Sequence, residues 1–372
     1  MKMKNKLFMW MRREAVLCIA LLCAALSMLA VPPSAAYFGY IDLRVLCMLF
    51  CLMSVVQGLQ HCNLFEVLAR KLLSGRRRSR LLMLILVLLP FFASMLVTND
   101  VALITFVPFT ILVLNLIGRE ESLAWVVVLQ TLGANLGSMA TPVGNPQNLF
   151  LYSRYSLSGG EFFSAVLPLA LASLLCLGAA ALWTKRETIE VTFHGETQIH
   201  NPKLLVLYFV LFLLCLLAVF HLLHYGVLTA VVLICMLLFS RRVLVSVDYG
   251  LLFTFVCFFI FAGNLGEIAA VRNFLTGLLN RNALMSSVLA SQVISNVPAA
   301  VLLSGFTEHW RALLLGVDVG GLGTPVASLA SLISLKLYLR APGARAAYYL
   351  GIFTLANLIG LAVLLPLAFL LL

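Results

Sequence analysis

The chain has 372 residues, 63% of them hydrophobic and 10% charged, with a mean hydropathy of +1.08. Soluble domains run at about 45–50% apolar and about 25% charged, so an ordinary water-soluble fold is excluded. The net charge of +11 does not point to nucleic acid, because the basic residues lie in short clusters between apolar runs, where they set membrane orientation.

In chain order, Lys2, Lys4, Lys6, Arg12 and Arg13 precede an apolar run at 15–33. Ser34-Ala35-Ala36 offers small residues for signal-peptide cleavage. A retained first helix is expected instead, because its loss would leave a later helix, 225–240, without a counterpart. A second helix covers 42–60. An amphipathic, basic segment with Arg70, Lys71, Arg76, Arg77, Arg78 and Arg80 follows. Residues 81–117 are apolar but interrupted at Thr98-Asn99-Asp100. Each arm is about 17 residues, or roughly 25 Å of helix, short for a crossing and suited to a re-entrant hairpin with a polar tip. Next come a broken helix (122–153), a helix (162–183), a polar loop (184–202) and helices at 204–222, 225–240 and 249–267. A second interrupted run (282–306) carries Ser295-Asn296-Val297-Pro298 at its tip. A second broken helix (311–340) and a last helix (346–371) complete the chain.

The nine cysteines lie mostly in apolar segments, and no C-x-x-C or His/Cys spacing indicates a disulfide framework or a zinc site. No H-E-x-x-H, G-x-S-x-G or Walker A pattern is present, so a polytopic membrane enzyme is the remote alternative and no cofactor is expected.

The order helix, helix, hairpin, broken helix, helix occurs twice. The two breaks align without gaps: Gly133–Leu149 against Gly316–Leu332 share six of seventeen residues, including Thr141/Thr324, Pro142/Pro325 and Val143/Val326. Asp42 and Asp248 open corresponding helices, and Val97-Thr98-Asn99 parallels Ile294-Ser295-Asn296. The reading is an all-α polytopic membrane protein with two inverted-topology repeats, each containing a re-entrant hairpin and a broken helix, with about nine crossings plus two hairpins. Residues 1–183 form the first repeat, 184–222 the connecting loop and linking helix, and 223–372 the second repeat. The linking helix inverts one unit against the other. With the N-terminus cytoplasmic, 20 basic residues lie inside and 5 outside. The C-terminus is then outside, and the protein is a multi-pass component of the cell membrane.

Non-helical backbone within a bilayer survives only where it is buried in protein or lines a cavity, so two tips and two breaks mark one central site. Thr141-Pro142 and Thr324-Pro325 read as an N-cap followed by proline at the first helical position, with Asn145-Pro146 able to do the same one turn later. Gly133/Gly137 and Gly316/Gly320 equally suit close helix packing. Substrate-binding candidates are Thr98, Asn99, Thr141, Gly144, Asn145, Asn148, Ser295, Asn296, Thr324 and Ser328. Charges at membrane depth are functional candidates by default. The ion-coupling candidates are Asp100, Asn135, Asp318 and Gly323, with Na⁺ at the two hairpin tips or H⁺ as the coupling ion. Asp100 could also simply cap the arm that follows it. Asp318 occupies the position of Asn135 in the other half, so the halves are not chemically equivalent.

At Thr141-Pro142-Val143-Gly144-Asn145-Pro146-Gln147-Asn148 the sequence resembles the citrate-transporter-like domain of the ion transporter superfamily, whose pattern is T-x-x-G-(D/N)-P-x-N. Gly323-Thr324-Pro325-Val326-Ala327-Ser328-Leu329-Ala330 looks like its second-half counterpart. The resemblance implies a scaffold and a moving transport domain, elevator-like motion, a homodimer, and a small anionic substrate moved with Na⁺ or H⁺. The dicarboxylate branch carries Ser-Asn-Thr at each tip. Here only the asparagines and the preceding hydroxyl residues match, and the tips are nearer to the arsenite-type and uncharacterised members of the group. Arsenite efflux or cation/proton antiport is the alternative within transport.

Overall fold

A computed structural model describes residues 14–183, 187–191, 193 and 197–372. The basic residues at 2–13 and at 185–186, which carry part of the orientation argument, lie outside the described residues.

The chain folds into helices wherever the apolar runs predict them, and polar residues set their starts. Helix α1 (Ala15–Ala30) is followed, after a short turn of helix, by α2 (Leu43–His61). Asp42 opens α2 by accepting the Val45 N–H at 3.0 Å. The basic segment resolves into an amphipathic helix, α3 (Leu64–Leu73), and a strand, β1 (Gly75–Arg78). Then come α4 (Ser79–Ala93), α5 (Asn99–Leu116), α6 (Leu123–Ser138), α7 (Pro146–Arg154) and α8 (Gly159–Leu182). Strand β2 (Thr188–Val191) lies in the expected polar loop.

After it, α9 (Pro202–Val219), α10 (Tyr225–Phe239) and α11 (Tyr249–Glu267) lead to α12 (Ala269–Ile294). Asp248 opens α11 as Asp42 opens α2, accepting the Leu251 N–H at 2.9 Å. Non-helical dihedrals at Asn282 divide α12 where the sequence places the start of the second interrupted run. The chain ends with α13 (Asn296–Leu303), α14 (Trp310–Val319), α15 (Leu329–Tyr338) and α16 (Ala346–Leu370).

Strands β1 and β2 pair antiparallel, Gly75 opposite Val191 and Arg78 opposite Thr188, one small ribbon added to the all-α membrane fold. Gly75, at φ +93°, turns the chain out of α3 in a conformation that a side chain would resist. Thr188-Ile189-Glu190-Val191 alternates exposed and more buried positions, as a strand does.

Among the described residues, six helices (α2, α5, α8, α9, α11 and α16) have at least 18 residues and are apolar enough to cross a bilayer. Large apolar side chains such as Leu175, Leu213, Phe253 and Leu355 are exposed on their surfaces. So broad an apolar exterior is stable only in lipid, and the chain is a multi-pass membrane protein. Two groups of helices emerge. In one, α1 packs on α11, and α2 on α9 and α10. In the other, α4 and α5 pack on α6, while α12 and α13 pack on α14. The groups touch where α11 meets α13 and α2 meets α7.

Candidate functional site

The two interruptions sit between α4 and α5 and between α12 and α13. The two breaks lie between α6 and α7 and between α14 and α15. Each break stays close to its own tip through the same backbone bond. Asn99 N–H donates to the Gly144 carbonyl at 3.3 Å, and Asn296 N–H donates to the Ala327 carbonyl at 2.9 Å. Gly144 and Ala327 are aligned positions. Each asparagine also folds its Oδ1 onto the next backbone N–H, that of Asp100 or Val297, at 3.0 Å.

The threonines of the breaks tie back to the interrupted runs. Thr141 Oγ1 donates to the Met95 carbonyl at 2.5 Å, and Thr324 Oγ1 to the Gln292 carbonyl at 3.1 Å. Met95 and Gln292 each stand four residues before the tip asparagine. Thr141-Pro142 and Thr324-Pro325 therefore do not cap new helices as expected. They open turns closed by Gly144 N–H to Thr141 O (3.4 Å) and Ala327 N–H to Thr324 O (3.0 Å), with proline at the second turn position. The half-helices start four residues later. Asn145 caps α7, its Oδ1 accepting the Asn148 N–H at 2.8 Å, with Pro146 at the first helical position. Ser328 holds the same place before α15 but leaves the cap unmade.

The Ser328 hydroxyl is used elsewhere. It donates to Asn135 Oδ1 at 3.0 Å, and the same oxygen accepts Asn99 Nδ2 at 3.1 Å. Asn135 Nδ2 reaches Ser331 Oγ at 3.4 Å. Asn135 thus joins the first tip to the second break, and all four residues are buried. Its aligned partner Asp318 faces the other way across the molecule. The Asp318 carboxylate is buried beside the side-chain amides of Asn145, Gln147 and Asn148, close enough to interact, yet neither oxygen makes a hydrogen bond of good geometry. Asn148 gives its Nδ2 to the Met139 carbonyl at 3.1 Å, and its Oδ1 is also buried without a donor. Ser328 and Ser331 are the positions aligned with Asn145 and Asn148. In each half, then, the same position of the helix before the break looks at the same two positions of the other half's break.

Packing follows the same pattern. Helix α15 lies on α5, and α7 lies on α13. The glycines make the close approach possible. A Cβ on Gly137 would collide with the Phe91 carbonyl and come within 2.8 Å of Ser94 Oγ; one on Gly316 would stand 2.7 Å from the Leu284 carbonyl. Contacts under 3.0 Å force backbone to move.

Of the residues singled out from sequence, Asn99, Asn135, Asn145, Asn148, Asn296, Asp318 and Ser328 gather at this buried junction. Asp100 stands in the first turn of α5, half-buried, with Oδ1 unbonded. Thr98, Thr141, Gly144 and Ser295 lie on the tips and breaks that meet at the junction, Ser295 Oγ donating to the Ala327 carbonyl at 3.3 Å. Thr324 is exposed and Gly323, at φ +109°, is held by Asn357 Oδ1 at 3.1 Å, so these two form a rim. Residues not anticipated are Ser331, Gln147, Asn357 and Gln292, whose amide spans the second break by bonding the Gly320 and Leu322 carbonyls at 2.9 and 2.8 Å. Beyond Ser331 the polar seam continues: Thr131 Oγ1 meets Ser334 Oγ at 2.6 Å, and Ser334 meets Tyr349 OH at 2.9 Å. Ser295 alone among tip residues has strained backbone, at φ 72° and ψ 155°, a region essentially reserved for glycine.

A helical membrane protein whose buried polar groups gather at paired helix breaks is built as a transporter. A family model described as "Citrate transporter" (CitMHS) matches residues 6–309, and the chain belongs to that family of membrane transporters. An uncharacterized transporter of Methanocaldococcus jannaschii is 31% identical over 81% of this chain and 82% of its own. The inner membrane protein YbiR of Escherichia coli is 32% identical over 80% of each. A shorter match, 35% over 37% of this chain and 28% of the relative, is to the silicon efflux transporter LSI3 of Oryza sativa subsp. japonica.

Proposed function

We propose that the chain is an ion-coupled secondary transporter that moves a small anion, a carboxylate or oxyanion, across the cell membrane. The observation that carries this reading is the junction itself. Helices α5, α7, α13 and α15 all begin there, and α6 and α14 end there. Helix N-termini carry partial positive charge and attract anions; C-terminal carbonyls attract cations. An anion and a cation can therefore share the site. Asp318, whose two buried oxygens lie among the side-chain amides of Asn145, Gln147 and Asn148 without a hydrogen bond of good geometry, is where a Na⁺ or a proton would relieve a large electrostatic cost. Asp100 is the second candidate.

The halves are proposed to be inverted repeats, with α4–α5 and the later part of α12 with α13 as re-entrant hairpins, the N-terminus cytoplasmic and the C-terminus outside. The reciprocal use of aligned positions supports the two-fold relation. The group around α6 and α14 would move against the group around α2 and α11 in an elevator-type cycle. Efflux of arsenite or another undissociated oxyacid is the second reading. It is favoured by the two carboxylates and the lack of any basic side chain among the gathered residues, and by the likeness to a protein named for silicon efflux.

The test is flux into proteoliposomes under imposed Na⁺ or pH gradients, with carboxylates, sulfate, arsenite and silicate as probes. Asn99→Ala and Asn296→Ala should each lower flux at least about 100-fold while inserting normally, since each removes a tip amide with its buried bonds. Wild-type flux in both variants overturns the proposal.

A further inference from the structure

Away from the junction, α3 and α4 enclose an apolar cleft of about 380 Å³. One face of α3, with Phe65, Leu68 and Leu72, supplies one wall; Leu84, Leu88 and Phe92 of α4 supply the other. The volume lies within the range of ligand-sized clefts. At one end the cleft reaches Leu96, next to Met95, whose carbonyl holds Thr141. Leu72, in the last turn of α3, also lines the cleft, and the ribbon strand β1 follows that turn directly and packs against α4. Residues 64–80 hold six basic side chains and one acid, Glu66. Glu66 is already paired with Arg70, and Glu190 stands opposite Arg76 in the ribbon. Lys71, Arg76 and Arg78 are exposed.

We propose that this cleft is a binding site for an anionic phospholipid. One acyl chain lies between α3 and α4, and the headgroup phosphate rests on Lys71, Arg76 and Arg78. An amphipathic helix of this composition lies in the plane of the bilayer surface, its apolar face at acyl-chain depth and its basic face among headgroups. Each Lys or Arg near an anionic surface contributes about 1 kcal/mol, about fivefold in affinity. A neutral lipid would satisfy the apolar wall and leave the basic cluster unmatched, so charge complementarity selects the occupant. Because the cleft ends beside the first tip, its occupant touches the polypeptide that the transport reading sets in motion. The site itself does not rest on that reading.

The variant Leu88→Trp reports on the cleft. The full chain is reconstituted in phosphatidylcholine vesicles with brominated-chain phosphatidylglycerol or brominated-chain phosphatidylcholine, and quenching of the added tryptophan is measured over the parent protein. Phosphatidylglycerol should quench at a mole fraction at least about fivefold lower, and added salt should narrow the gap. Combining Lys71→Gln, Arg76→Gln and Arg78→Gln should erase the preference, whereas Arg76→Lys with Arg78→Lys should keep it. Equal quenching by the two lipids overturns the site, as does a preference surviving the triple glutamine variant. Release of the preference by inorganic phosphate at constant ionic strength shows a free-phosphate site instead, and also overturns it.

Discussion

Asn135 and Asp318 occupy the same place in two aligned stretches, each looking across the molecule at the other half's break, yet their environments are opposite. Asn135 is fully engaged: its carbonyl takes one bond from Asn99 and one from Ser328, and its amide reaches Ser331. Asp318 is as deeply buried and has neither carboxylate oxygen bonded. One is a joint, the other an unsatisfied acceptor. The same aligned position thus closes a polar contact between the halves in one case and buries a carboxylate without a well-formed hydrogen bond in the other. The tips differ in parallel. Thr98 has ordinary extended backbone, whereas Ser295 is strained, and strain of this kind collects at ligand clamps.

The comparison can be broken most severely at Asn135. Asn135→Ala orphans two buried donors and should destabilise the protein by about 2–4 kcal/mol in thermal unfolding. Asp318→Ala removes no hydrogen bond of good geometry and takes away a buried carboxylate, so it should cost far less than Asn135→Ala or raise stability. Equal losses in the two variants would mean that the two positions do the same work. A smaller effect separates the packing from the chemistry. Gly137→Ala forces a Cβ against the Phe91 carbonyl and should cost about 1–3 kcal/mol, read by the same melt. Smallest of all is the tips' backbone. Ser295→Gly should stabilise by about 1 kcal/mol through relief of strain, while Thr98→Gly should cost about 0.5–1 kcal/mol through lost backbone restriction. Changes of the same sign at both tips would show that the strain at Ser295 is of no consequence.

Most of the element order is legible in the sequence because apolar runs, prolines and polar interruptions alternate so sharply. The helix starts are only partly legible. Thr141-Pro142 satisfies the rule for a cap, but its hydroxyl finds the Met95 carbonyl first, and Asn145-Pro146 takes the cap one turn on. The ribbon of β1 and β2 is not legible, because its strands come from two polar stretches far apart in the chain, one of them the arginine run of the basic amphipathic segment. Alignment of the halves tells which residues are equivalent, and not which ones touch. Hence the exchange between Asn135 and Ser328 or Ser331, and between Asp318 and Asn145 or Asn148, could not be derived from it. Ser331 was findable, since it aligns with Asn148. Gln292 was not: its counterpart is Met95, and nothing in the local pattern announces a side chain that bridges two carbonyls of a break.

The central claim is that Asp318 holds the coupling ion at a junction shared by both halves. It is tested most directly by comparing accumulation with exchange in proteoliposomes for the wild type and Asp318→Asn, which gives both halves the same residue at this position. The wild type should concentrate the transported probe when a Na⁺ or pH gradient is imposed. The variant should still exchange it at equilibrium and fail to concentrate it. Gradient-driven accumulation by Asp318→Asn equal to that of the wild type would contradict the account.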